Sequence, residues 1–174
     1  MIFVTGGAYQ GKYHYIKANF HMDDSMVCNC CDIDKNAELS DIEEFLMTKG
    51  AQAGCILNVH ELIKNIIANA ESGLNAVSAA EKTDESYKII GKSVTDILER
   101  LLRQRPDLII TMDEVGCGIV PVEKADRLYR EAVGYTGCFL AEKADRVIRV
   151  ISGIGQVIQE SCKRHSAFSL QEQI

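Results

Sequence analysis

Met1-Ile2-Phe3-Val4-Thr5 is an apolar run that ends abruptly in two glycines, and it reads as a buried strand. Gly6-Gly7-Ala8-Tyr9-Gln10-Gly11-Lys12 follows at once and satisfies a G-x-x-x-x-G-K frame; a polar helix is expected from Lys12 towards Asn19. Between a strand and a helix, such glycines let successive N–H groups turn inward around phosphate oxygens. The helix N-terminus adds partial positive charge and Lys12 a full one. Gly6, Gly7, Ala8, Gln10, Gly11, Lys12 and Tyr13 are therefore the candidate nucleotide-binding residues, with Lys12 also a candidate catalytic residue. A plain glycine turn with a solvated lysine is the blander reading. One element departs from the frame: Tyr13 stands where a Ser or Thr hydroxyl would ligate Mg²⁺, and its own hydroxyl lies a whole ring further out.

The rest of the chain alternates strands and helices. Strands are expected over Met26–Cys31, Gly54–Val59, Asp107–Met112 and Val147–Ile151. Helices are expected over Asp41–Met47, Glu61–Ala70, Asp84–Gln104 and Val122–Ala144, with Ser72–Thr83 a loop. The third of these helices has the clearest period, with Ile90, Val94, Ile97, Leu98, Leu101 and Leu102 on one face and Pro106 as its stop. This alternation predicts an α/β fold, a three-layer P-loop NTPase-like domain around a mostly parallel central sheet. Each glycine-rich turn falls at a strand's carboxyl end, where ligands of such sheets bind. The expected division is one nucleotide-binding domain over 1–155 and a tail or docked helix over 156–174.

Composition narrows the partners. The formal charge of -6 argues against nucleic acid or anionic lipid as a partner, because the Lys/Arg excess that neutralises phosphates is missing. No apolar run approaches the ~20 residues of a membrane span. Seven cysteines, an odd number without a signal peptide, fit reduced thiols and a cytoplasmic location. Cys28-Asn29-Cys30-Cys31 lacks a second Cys/His pair at finger-like spacing, so small buried strand residues are the simpler account.

Leu108-Ile109-Ile110-Thr111-Met112-Asp113-Glu114 has the form of a Walker B strand ending in carboxylates. Solvated turn acids are the ordinary alternative. Beside a phosphate-binding loop, Glu114 is the candidate catalytic carboxylate.

Glu114-Val115-Gly116-Cys117-Gly118-Ile119-Val120-Pro121 resembles the E-V-G-x-G-I-V-P loop of the bifunctional adenosylcobinamide kinase/adenosylcobinamide-phosphate guanylyltransferase family. Arg127, Arg130-Glu131 and Gly134 match its R-x-x-R-[DE]-x-x-G helix. Leu140-Ala141, Ala144-Asp145, Val147 and Ser152-Gly153-Ile154-Gly155 match its closing segment, and Val4 to Lys12 match its opening one. The resemblance implies phosphorylation of the aminopropanol hydroxyl of adenosylcobinamide with ATP or GTP, then GMP transfer through a histidine-linked intermediate, in cobalamin assembly. It implies that Gly6, Gly7, Gly11 and Lys12 hold the triphosphate with Mg²⁺, and that the subunits form a small homo-oligomer such as a trimer. Asp113, Gly116, Gly118, Arg127 and Arg130 become candidate substrate or loop contacts; no metal ligand is assigned.

The departures fall on chemistry. Besides Tyr13, Asn58 stands where the family's third strand ends in an acid. Asp32–Gly54 is shorter than the family's segment and holds no histidine, and the family's G-R-x-N becomes Gly134-Tyr135-Thr136-Gly137. Covalent catalysis needs its nucleophile in reach, so guanylyl transfer is expected to be absent. His14, His21 and His60 are stand-ins more simply read as helix or loop residues, and His60-Glu61 lacks the second histidine of a zinc helix. Two readings follow: a kinase retaining phosphoryl transfer, or a non-catalytic nucleotide-binding relative acting as sensor or partner subunit. A kinase for another hydroxyl is a third.

Overall fold

A computed structural model of the chain describes residues 1–71 and 86–161. The strands are β1 (Ile2–Gly6), β2 (Val27–Asn29), β3 (Cys55–Leu57), β4 (Ile109–Asp113), β5 (Arg146–Ile151) and β6 (Ile154–Glu160). The helices are α1 (Lys12–Phe20), α2 (Leu39–Phe45), α3 (His60–Glu71), α4 (Ser86–Gln104) and α5 (Lys124–Lys143). One sheet runs in the order β2-β3-β4-β1-β5-β6, parallel throughout except for β6, which pairs antiparallel with β5 at the edge. This is the three-layer α/β architecture that the alternating pattern predicts.

Strand alternation sorts the core into two faces. Val4, Cys55, Leu57, Ile109, Ile148 and Val150 face one side, where Ile16 of α1 covers them. Phe3, Cys28, Ile56, Ile110, Met112 and Val147 face the other, against α2, α3, α4 and α5. Ile56, Ile110 and Val4 are fully buried; burying each such side chain contributes roughly 1.5–3 kcal/mol.

Several boundaries move. The expected strand over Met26–Cys31 is only three residues long, because 3₁₀ turns at Asp24–Met26 and Cys30–Asp32 flank it. The Asn29 side chain accepts from the Cys31 N–H and ends the strand there. The helix expected over Asp41–Met47 starts two residues earlier and runs on through a π-helical turn at Leu46–Gly50. The loop expected over Ser72–Thr83 lies outside the described residues. A larger correction concerns the segment after Gly155, expected as a tail or docked helix. Ile154–Glu160 is a strand, so the sheet extends past residue 155. Ser152 and Gly153, both at positive φ (51° and 79°), make the two-residue turn that folds it back on β5.

Candidate nucleotide site

β1 ends at Gly6, and the loop it feeds depends on that glycine. Its φ is 146°, and a Cβ there would stand 2.2 Å from the Val150 carbonyl oxygen on β5. Gly11 is left-handed (φ 82°) and gives α1 an N-terminus with no side-chain cap and no acid in the first turn. The first N–H groups of α1 therefore have no intrahelical acceptor. The crest of the loop is anchored to the β5–β6 turn. The Ser152 N–H donates to Gln10 Oε1 at 2.7 Å, and the Gly153 N–H donates to the Gln10 carbonyl at 2.8 Å. Tyr9, also at positive φ (60°), stands fully exposed at the mouth.

Lys12 folds back over the loop. Its Nζ donates to the Gly7 carbonyl at 2.8 Å and the Gly6 carbonyl at 3.2 Å, and lies 2.5 Å from Asp113 Oδ1. The lysine is buried. Asp113 reaches it because β4 pairs with β1 in a register that sets Asp113 opposite Gly6. Residues 109, 111 and 113 share the α1 face, so the Asp113 carboxylate points to α1 while Glu114 turns the other way. Glu114 instead accepts from Arg149 Nη2 at 2.7 Å and Nε at 3.0 Å.

Lys12 and Asp113 line a cleft of about 520 Å³ with His14, Cys31, Asn58, His60, Glu61 and Tyr129. His60 opens α3 and is held by its Nδ1, which accepts the Asp113 N–H at 3.1 Å. Its Nε2 is 3.4 Å from Glu61 Oε1 and 3.7 Å from Asp113 Oδ2. Burial pushes the imidazole below its ordinary value, against the pull of the two carboxylates. It is thus a neutral ring with its proton on Nε2. Burial pushes the Tyr129 hydroxyl up, keeping it protonated.

The sequence candidates divide accordingly. Ala8, Gln10, Gly11, Lys12, Tyr13 and Asp113 line the cleft, whereas Gly6, Gly7, Glu114, Gly116, Gly118, Arg127 and Arg130 do not. The two arginines hold the 114–122 loop by its carbonyls. Arg130 Nη2 donates to Gly116 at 2.6 Å; Arg127 Nη1 donates to Pro121 at 3.0 Å and also to Val122. His60 and Arg149 carry more of the local geometry than the sequence indicated, and Tyr129 adds to the cleft wall. Only strand alternation around Thr111 and Arg149 hints at it.

The positions that depart from the family pattern are occupied by other structural work. The Tyr13 hydroxyl donates to Asp24, outside the loop. Asn58 takes a left-handed conformation (φ 62°) that asparagine tolerates better than most residues. Its N–H donates to Thr111 Oγ1 at 3.0 Å and its Nδ2 to Asn29 Oδ1 at 3.0 Å, tying the ends of β2, β3 and β4 together. The Tyr135 ring packs on Gly91 of α4, where a Cβ would lie 2.6 Å from it. Among the described residues, no group of three His, Cys, Asp or Glu side chains is placed to hold a metal. The hydroxyl and acid that would ligate Mg²⁺ are thus replaced by groups engaged elsewhere, and the site does not fit that ion as a P-loop ordinarily holds it. Cys28, Cys30 and Cys55 are buried. Burial pushes the Cys28 thiol up to about 11 and Cys55 to about 12, which leaves them unreactive. No helix among the described residues is long and apolar enough to cross a membrane.

Comparison with known proteins agrees with the motif pattern after residue 34. The family model described as cobinamide kinase / cobinamide phosphate guanyltransferase (CobU) matches residues 35–158, downstream of the glycine loop. The bifunctional adenosylcobalamin biosynthesis protein CobU of Salmonella typhimurium is 30% identical over 103 residues, covering 57% of this chain and 56% of the relative. The chain thus spans little more than half the length of that curated relative. With most of its length inside the matched region, the chain belongs to the cobinamide kinase / cobinamide phosphate guanyltransferase family.

Proposed function

We propose that the protein binds ATP or GTP at the Gly6–Tyr13 loop and transfers its terminal phosphoryl group to the aminopropanol hydroxyl of a cobinamide. The observation that carries this reading is Lys12, buried across the loop carbonyls and paired with Asp113 in an open cleft. The α1 N–H groups and the Lys12 ammonium supply the charge that triphosphate oxygens need. In the transfer, the acceptor hydroxyl oxygen bonds to the γ-phosphorus and the bond to the β–γ bridging oxygen breaks. The nucleoside diphosphate leaves, and the hydroxyl proton passes to the Asp113 carboxylate. Glu114, first singled out as the catalytic carboxylate, takes a supporting role through Arg149.

Guanylyl transfer through histidine is not part of this reading. Residues 32–54 contain no histidine. His60 uses its Nδ1 lone pair on the Asp113 N–H, so its Nε2 carries a proton and offers no lone pair for attack. Family membership supports the corrinoid acceptor; a small homo-oligomer and a cytoplasmic setting complete this reading.

A second reading, a nucleotide-binding relative that senses or partners without turnover, is favoured by the engagement of Tyr13 with Asp24 and of Asn58 with Asn29. Incubating the purified protein with cobinamide and ATP or GTP, with and without Mg²⁺, and weighing the product decides between them. A phosphorylated corrinoid supports the kinase. Nucleotide binding with an unchanged corrinoid supports the second reading.

A further inference from the structure

We infer that this loop holds its nucleotide without help from a divalent cation. The inference rests on the nucleotide reading of the loop, which both functional readings share. In a P-loop the ion ordinarily sits between the hydroxyl that follows the lysine and a strand-end carboxylate, and bridges the β- and γ-phosphates. Each of those contacts has another occupation here.

The Tyr13 hydroxyl is pinned away from the loop. It donates to Asp24 Oδ1 in the 3₁₀ turn before β2, and Lys17 Nζ holds the same oxygen at 2.9 Å. That ammonium also lies 5.4 Å from the centre of the Tyr13 ring. Tyrosine and lysine, one turn apart on α1, thus grip one carboxylate from the same side. To reach a metal beside the phosphates, Tyr13 would have to abandon both contacts and swing a whole ring inward.

The strand-end groups are no freer. Asp113 Oδ1 is paired with Lys12 at 2.5 Å, and Oδ2, 3.7 Å from His60 Nε2, is the oxygen left to take the acceptor's proton. Asn58, at the end of the neighbouring strand, carries no charge and turns its amide to Asn29 and, at 3.5 Å, to Cys31 Sγ. Positive charge at the phosphate position therefore comes from the uncapped α1 N-terminus and from Lys12, whose ammonium would exchange the Gly6 and Gly7 carbonyls for phosphate oxygens.

Calorimetric titration of GTP and of ATP into the full chain, in excess Mg²⁺ and in EDTA, tests this. The dissociation constants in the two buffers are expected to agree within about threefold, under 1 kcal/mol. Tightening by about tenfold or more in Mg²⁺ overturns the inference while leaving the nucleotide site intact. Absence of binding in both buffers overturns the inference together with the nucleotide reading. Tyr13→Phe is the companion variant, because it deletes only the hydroxyl. The ratio of its dissociation constants in the two buffers is expected to stay near one, whatever the variant does to affinity itself; a loss confined to the Mg²⁺ buffer shows the hydroxyl reaching an ion, and so contradicts the inference.

Discussion

Asp113 and Glu114 follow one another along the chain but serve opposite faces of the sheet. Asp113 lies on the α1 face, in the cleft, with Lys12 at 2.5 Å and the His60 ring beside it. Glu114 lies on the α5 face and accepts two bonds from one Arg149 guanidinium, where both partners are a third or more exposed. Two similar acids at one strand end thus differ in burial, partner and role. Their separation comes from the two-residue period of β4 and the loop geometry at Gly6, whose carbonyl accepts the Glu114 N–H at 2.9 Å. A carboxylate's position in a motif matters less than the face to which the pleat delivers it.

Replacing each acid by its amide separates the two faces. Asp113→Asn is expected to lower phosphoryl transfer by about a hundredfold or more, the usual range for a lost general base, with a much smaller change in nucleotide affinity. Glu114→Gln is expected to leave transfer within about threefold and to cost at most about 1 kcal/mol of stability, as for an exposed ion pair. Steady-state kinetics and urea denaturation of the two variants check this. The reverse ranking would show that the face assignment does not govern the chemistry.

Lys12→Ala probes the α1 face. Removing a charged donor to the phosphates is expected to weaken nucleotide binding by about 30- to 100-fold, or 2–3 kcal/mol. Calorimetry reads the loss directly. Gly6→Ala acts on the shared pivot, since its Cβ would meet the Val150 carbonyl at 2.2 Å. A destabilisation of about 2–3 kcal/mol is expected in thermal unfolding.

How much of this was legible in the sequence depends on what each segment packs against. β1, β4 and α4 are buried on well-defined faces, and their periods announce them. β6 escaped because an edge strand meets solvent along its length. Gly155, Gln156, Gln159 and Glu160 therefore read as a polar tail, although Ser152-Gly153 was a two-residue hairpin signal. The glycine loop was legible as local backbone chemistry, whereas the choice of Asp113 over Glu114 was not, because it depends on inter-strand register. Tyr13 and Asn58 read as departures from the family pattern, but their purposes lie in contacts with Asp24 and Asn29, which no linear spacing reveals.

His60 provides the smallest expected effect. Its folded-state value is depressed by burial, so its contribution to stability is present above the unfolded imidazole value of about 6.5 and is lost as pH falls below it. Denaturation at pH 7.5, 6.5 and 5.5, values chosen to span roughly that titration, is expected to show declining stability in the unaltered chain. A shallower decline is expected in His60→Gln, and equal slopes would remove the histidine from the account.

The nucleotide reading requires the amide hydrogens at the head of α1 to meet an anion beside Lys12. Assigned ¹⁵N–¹H spectra recorded while GTP or ATP is added test it most directly. The prediction is that the largest shifts fall on the amides from Gly7 to His14, with smaller ones at Ser152 and Gly153, whose N–H groups hold Gln10. Shifts concentrated elsewhere, with the Gly7–His14 amides unmoved at saturation, would contradict it.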